Sequence, residues 1–334
     1  MNVLRVLALP AALLAMFSSP SPAMANGCAE AGVINARSKR IVAAALNEYA
    51  VFNGHRIDAN GRLWKFGSTE TENEPLLDPE TGQPASSDPV LPAWRRVWEY
   101  WLVLDQHVPG IALSRKVVAF PSALNTKAAN ARTSEETLRD LFSLLEQGLS
   151  DGKESLRQAA VRAALSDSPW SAAFVSYVMH QAGLPDEQFR YAAAHWQYIK
   201  QAFSADSRHA YQACDPRSTH PREGDLLCYS RGALGPGNYM GWRDAISSPG
   251  FAAASHCEIV VIVDRSASKM ETVSGNMLQS IAMRRLKLDR NGLLSSTHYA
   301  GKSKRPLPLA CAQDKSCRQS DLNLQQWSVL LRLR

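Results

Sequence analysis

The segment Ser168-Pro169-Trp170-Ser171 opens the part of this chain whose residue types are best suited to chemistry. Serine is a favourable helix N-cap and proline a favourable first helical residue, so Ser171 is expected in the first turn of a helix. Backbone N–H groups in that turn have no partner within the helix, and the helix dipole is positive there. A hydroxyl so placed can act as an acyl-transfer nucleophile, with amides beside it to hold an oxyanion, once a general base takes its proton. His195 follows the helix and precedes the aromatic-rich segment 196–198, and His256 opens the run His256-Cys257-Glu258-Ile259-Val260-Val261. In a strand successive side chains alternate between faces, so Glu258 shares a face with His256 while Cys257 turns away. Arg231 and Asp225, near the preceding strand, suit a salt bridge or a turn, and Arg231 also suits the carboxylate of a peptide ligand. Each residue also has a structural reading: Ser171 as a small helix-start residue, His256 as a hydrogen-bonded core residue, Asn276 as a turn former after Gly275. Their order on a helix followed by strands is what points to a site.

The elements that must position these residues are legible in the spacing of apolar side chains. Ile41, Ala44, Leu46, Tyr49 and Val51 recur at helical spacing over 38–52, and a Gly/Asn/Asp-rich loop follows over 53–61. Residues 67–88 read as an exposed connection. In 92–104, Trp94, Val97, Trp98, Trp101 and Leu102 lie at i, i+3, i+4 spacing and predict one buried helical face. Thr133-Ser134-Glu135-Glu136 is a capping box ahead of an amphipathic run over 137–149, and 156–165 is a second short helix. The helix that begins at Pro169 is expected to run to about Ala182, where Gly183 and Pro185 stop it. Beyond Pro221 the pattern changes to short β-branched or alternating runs, 225–229, 256–264, 269–274 and 279–288. Between the first two of these, 230–255 is too irregular for an element of its own, and long loops of that kind often form part of a binding site. The tail after residue 302 holds one last strand or helix at 327–331.

Residues 1–25 carry a single charge, Arg5, then an apolar run and Ala23-Met24-Ala25, the pattern of a secretory signal peptide cleaved before Asn26. A large aliphatic residue is missing from Ala25-Asn26-Gly27, which argues against lipidation at Cys28. No later stretch is long and apolar enough to span a membrane, so a periplasmic or secreted protein is expected. The net charge of +6 is modest and spread along the chain, which argues against nucleic-acid binding and is compatible with an anionic wall polymer. Six cysteines in an exported chain favour disulfides. Cys311 and Cys317 close a short polar loop and are the first pair expected. Cys228 and Cys257 either bridge neighbouring strands or stay buried as thiols, Cys228 remaining a minor candidate nucleophile, and Cys28 and Cys214 are then left to pair. No metal-ligand spacing is present, and neither metal nor cofactor is expected.

The order of Ser171 at a helix start, Gly224-Asp225-Leu226-Leu227 opening a strand, then Ser255-His256-Cys257-Glu258 and Gly275-Asn276 resembles the papain-like superfamily that includes the CHAP and NlpC-type cell-wall amidases and peptidases. More closely, the chain resembles the bacterial family called domain of unknown function 2272. That resemblance rests on Pro169-Trp170-Ser171-Ala172-Ala173-Phe174-Val175-Ser176, Ala194-His195-Trp196-Gln197-Tyr198-Ile199, Gly224-Asp225-Leu226-Leu227-Cys228, Ser255-His256-Cys257-Glu258-Ile259-Val260-Val261 and Gly275-Asn276, and reaches back to Arg96-Val97-Trp98-Glu99-Tyr100-Trp101. It implies an α+β fold, with a helical N-terminal region and a nucleophile-type helix packed on a small antiparallel sheet. By domain, it implies a signal peptide at 1–25, a helical region at 26–165 integral to the domain, a papain-like hydrolase core at 166–300 and a disulfide-bearing tail at 301–334. It places Ser171 in the nucleophile position usually held by cysteine, His256 as base and Asn276 as the residue orienting the imidazole, with Trp170, His195, Arg231 and Glu258 as possible lining. The serine matters chemically. A helix N-terminus and a histidinium can hold a thiol, of pKa near ~8.5, as a standing thiolate, whereas a hydroxyl must lose its proton during attack and asks for a carboxylate behind the base. Asn276 fixes a tautomer without supplying that charge, and Glu258 is the candidate for supplying it. The resemblance thus implies an exported hydrolase cleaving an amide in peptidoglycan peptides, or a catalytically degenerate member that binds a wall peptide or a protein partner.

Overall fold

The structure is a computed structural model and describes residues 28, 35–72, 81–83, 92–111, 168–232, 235–300 and 321–334. The two helices expected at 137–149 and 156–165, and the Cys311–Cys317 pair, lie outside the described residues. Five α-helices are present among those described: α1 Ala36–Val51, α2 Ala93–His107, α3 Ser171–Gln181, α4 His195–Ala202 and α5 Tyr239–Ala245. Eight strands, β1 His55–Ile57, β2 Leu63–Lys65, β3 Tyr211–Cys214, β4 Leu226–Ser230, β5 Ser255–Asp264, β6 Lys269–Met277, β7 Ser280–Lys287 and β8 Gln326–Leu333, form one sheet in the order β2-β1-β7-β6-β5-β4-β8-β3.

This α+β architecture corrects the expected small antiparallel sheet in two respects. The sheet has eight strands and is mixed, because β1 pairs with β7 in parallel. The extra strands come from places where periodicity is weak. β1 and β2 are three residues each, β1 within the loop expected over 53–61 and β2 just beyond it, and β8, in the tail, sits between β4 and β3. Three residues are too few to display an alternation, so only the hydrogen bonds of a neighbour reveal such strands.

Strand alternation divides the core. Leu226, Cys228, Cys257, Ile259, Val261, Val329 and Leu331 join the cluster beneath the helices, their neighbours Leu227, Tyr229, Val260 and Leu330 build a second cluster, and Trp327 joins the second through the register shift between β4 and β8. α1 starts at the N-cap Asn35, whose side chain accepts from the Ser38 amide at 2.9 Å. Its buried Glu48 accepts from Arg96 Nε of α2 at 2.8 Å and from the Tyr100 hydroxyl at 2.6 Å, so the two helices are pinned by charge-assisted bonds, and Trp94, Trp98 and Trp101 of α2 are buried in the same core. α3 is buried along its whole run from Ser171 to Met179, as a helix without a polar face must be. It stops at Gly183 with φ 74, where the amides of Gly183 and Leu184 return to the carbonyls of His180 and Met179. At its other end it lies directly on β6: a β-carbon at Gly275 would stand 2.6 Å from Cβ of Phe174.

Two disulfides form among the described residues. Cys228 and Cys257 face each other across β4 and β5 with Cα atoms 4.1 Å apart, and Cys28 is tied to Cys214 at the end of β3 with Cα atoms 5.6 Å apart. Cys228 is therefore no nucleophile. No helix among the described residues is long and apolar enough to cross a membrane.

Candidate active site

Ser171 is the first residue of α3, and the N-cap position is taken by Trp170 rather than by Ser168. The first intrahelical bond runs from the Phe174 amide to the Trp170 carbonyl at 2.9 Å, so the amides of 171–173 have no acceptor within the helix. Trp170 is fully buried and turned into the core. Its indole N–H donates to the Glu70 carboxylate, and its ring packs 5.9 Å from Phe52 and 5.8 Å from Tyr100. That anchoring fixes the residue before Ser171.

The imidazole that meets the Ser171 hydroxyl is His195. Ser171 Oγ and His195 Nε2 are 2.7 Å apart, both buried, and the other nitrogen of His195, Nδ1, is in hydrogen-bond contact with the Tyr198 hydroxyl. His195 opens α4, and Tyr198 follows it by three residues, one turn along the same helix face. Sequence reasoning passed over Tyr198, although that spacing was the signal that finds it. The His256 ring is the next layer, its centroid 5.0 Å from that of His195. Ser171, His195 and His256 are 5%, 4% and 0% exposed, so proton exchange within this set is sheltered from bulk water.

His256 does not meet Ser171 in a hydrogen bond. Its Nδ1 contacts the Arg231 guanidinium at 3.0 Å. A guanidinium can only donate, so Nδ1 is the acceptor and the proton of the neutral ring is on Nε2. That Nε2–H is buried without a hydrogen-bond partner, and Glu258 Oε1 stands 3.9 Å away. Glu258 is instead committed to Arg284 at 2.9 Å and accepts from the Thr272 hydroxyl at 2.5 Å. Asn276 takes φ 53 where the β6–β7 register shifts between Ser274 and Met277, and the tight turn itself is made by Leu278 and Gln279. Asparagine tolerates the left-handed region well, which accounts for its presence at this position. Asp225 is buried, accepting from Arg332 Nε and from the amides of Leu333 and Arg222, and burial pushes its carboxyl up to about 6. It fastens β4 to β8.

Residues 88–333, well over half of the chain, match a family described as an uncharacterised protein conserved in bacteria, domain of unknown function 2272. The chain belongs to that family. No curated protein and no solved structure matches it.

In this member of the domain of unknown function 2272 family, both histidines of the site are held neutral. Burial, reinforced by the Arg231 charge, pushes His195 down to about 3. Burial, then His195, Arg231 and Arg284, holds His256 well below the ordinary histidine range. Beside them the loop between β4 and β5, which includes the short helix α5 where only irregular chain was expected, walls a cleft of about 450 Å³. Arg231, Gly235, Pro236, Phe251 and Ala252 are among its lining residues, and Arg231 joins it to His256. Among the described residues no group of His, Cys, Asp and Glu side chains is placed to hold a metal ion.

Proposed function

We propose that this protein is an exported hydrolase-like protein of papain-like ancestry that attacks an amide or related acyl bond with Ser171, using His195 as the base. The observation that carries the reading is the 2.7 Å contact between Ser171 Oγ and His195 Nε2 at the start of a buried helix. In the productive arrangement Tyr198 accepts from Nδ1–H, leaving the Nε2 lone pair for the serine proton. The hydroxyl oxygen then bonds to the acyl carbon, and the unpaired amides at the start of α3 hold the oxyanion. The imidazolium formed gives its proton to the leaving amine as the C–N bond breaks, and a water activated by the same imidazole then hydrolyses the acyl-serine and restores the Ser171 hydroxyl. Stem peptides of peptidoglycan are the proposed substrate class, and the two disulfides support an oxidising compartment.

A second reading, a member of the same family that binds a wall peptide or a protein partner without cleaving it, is favoured by one specific observation. Behind His195 stands a phenol and behind His256 a guanidinium, so neither ring has a carboxylate hydrogen-bonded to its Nδ1. The test compares native protein with Ser171→Ala, Ser171→Cys and His195→Gln on peptidoglycan fragments and on a fluorophosphonate probe. Cleavage and labelling that vanish in Ser171→Ala and His195→Gln are expected. Native turnover equal to that of Ser171→Ala, with gain only in Ser171→Cys, supports the binding reading instead.

A further inference from the structure

Arg231 is the one charged residue among the described residues lining the cleft. It is exposed, and no carboxylate of the described residues lies within ion-pair distance of its guanidinium. Its hydrogen bond goes to a neutral imidazole nitrogen, His256 Nδ1, and its guanidinium carbon stands 5.9 Å from the centre of the Tyr229 ring, so neither contact neutralises its charge. A guanidinium fork matches a carboxylate in shape and charge, and a bidentate pair is far stronger than one bond to a neutral ring.

The walls are equally restrictive. Small residues, Gly232, Gly235, Gly241 and the run Ala252 to Ala254, dominate the lining, and Phe251 supplies an apolar side. A β-carbon at Gly235 would stand 3.1 Å from the Arg231 carbonyl oxygen, so backbone approaches closely there. Phe251 meets Trp242 and Trp196 edge to face, at 5.7 and 6.2 Å, and Trp196 is the residue after His195. The cleft, of about 450 Å³, is within the range that takes small ligands.

We propose that Arg231 is the carboxylate receptor of this cleft: a short peptide docks by its free C-terminal carboxylate on the guanidinium, and in doing so draws Arg231 away from Nδ1 of His256. The inference rests on the proposed acyl chemistry only in naming a peptide, and it deepens that reading by assigning the substrate's free end. Two consequences follow from the same contact. Nδ1 of His256 is released, so the ring can take the tautomer with Nε2 as acceptor. The positive charge that disfavours imidazolium at both histidines is neutralised by the ligand, so a bound substrate makes His195 a stronger base than it is in the empty protein. Arg231 is thus a positioning and specificity residue.

The test uses N-acetyl-Ala-Ala, its C-terminal amide and inorganic phosphate as probes, with binding followed by NMR of the histidine ring nitrogens. Measuring in Ser171→Ala as well as in native protein separates binding from cleavage, because carboxylate capture requires no nucleophile. Expected is binding of the acid at least about tenfold tighter than of the amide, an upward move of the His195 and His256 titrations on binding, loss of acid binding in Arg231→Met and partial retention in Arg231→Lys. Any one of four results overturns the proposal: no binding of the acid, acid and amide bound within twofold, phosphate bound as tightly as the acid, or Arg231→Met binding the acid like native protein. Loss of Ser171 labelling with acid binding intact would refute the hydrolase reading alone.

Discussion

Acidification should weaken this protein through His195. Burial and Arg231 push the folded-state value down to about 3 from the ordinary 6.5. Between those two pH values the unfolded chain holds a proton on this ring that the folded chain refuses. The stability associated with the neutral ring is therefore fully present above pH 6.5 and is lost progressively as pH falls toward 3. At pH 4.5 the ring stands about two pH units below its unfolded value, which corresponds to a loss of about 3 kcal/mol relative to pH 7.5. His195→Gln keeps a polar group against Ser171 and Tyr198 and cannot titrate. Urea unfolding of native and variant protein at pH 7.5 and 4.5 should show the native protein losing about 3 kcal/mol more than the variant across that interval. His298, held down to about 4 by burial, titrates in both proteins and cancels in the comparison, whereas His256, whose ring stands beside His195, is followed separately by its own ring titration. The corresponding kinetic expectation is a flat rate of Ser171 acylation from about pH 5 to 8, since the base stays neutral throughout. Equal losses in the two proteins, or a ring titration of His195 near 6.5, would refute the reasoning.

Two further perturbations test the frame that holds the site. Glu258→Gln leaves Arg284 buried and uncompensated, where it now makes an ion pair at 2.9 Å, so a loss of about 3–5 kcal/mol in chemical denaturation is expected, with Glu258→Leu/Arg284→Met recovering most of it; a single variant costing under 1 kcal/mol would contradict this (~1 being typical of exposed pairs). Gly275→Ala sets a methyl group against Phe174 and lifts the start of α3, so we expect a loss of about 1–3 kcal/mol together with slower Ser171 labelling, both measured on the same preparation; unchanged values of either would show that α3 does not depend on this contact.

Much of the frame is written in local sequence. The tryptophans of α2 at helical spacing, Gly183 as a stop and the alternating runs of β4 to β7 each carry their signal within a few residues. The pairing of Cys228 with Cys257 follows from their position on adjacent strands once the register is known, and that of Cys28 with Cys214 was left by exclusion. β1 and β2 carry no such signal, being too short to show a period, and β8 gives no sign in its own residues that it enters the middle of the sheet. Tyr198 lies between these cases, because its spacing from His195 is local but its use as a partner is not.

The sequence by itself determined that a serine lies in the first turn of a helix and that histidines follow on a helix and on a strand. It could not determine which imidazole the serine meets. Capping, periodicity and alternation are properties of a few neighbouring residues, whereas the contact between Ser171 and His195 depends on how α3 and α4 lie against the sheet. The tertiary structure likewise decided that Arg231 faces His256, that Glu258 is taken by Arg284, and that both imidazoles are stripped of water. Desolvation and charge act through space, and they set the basicity on which the serine's chemistry rests.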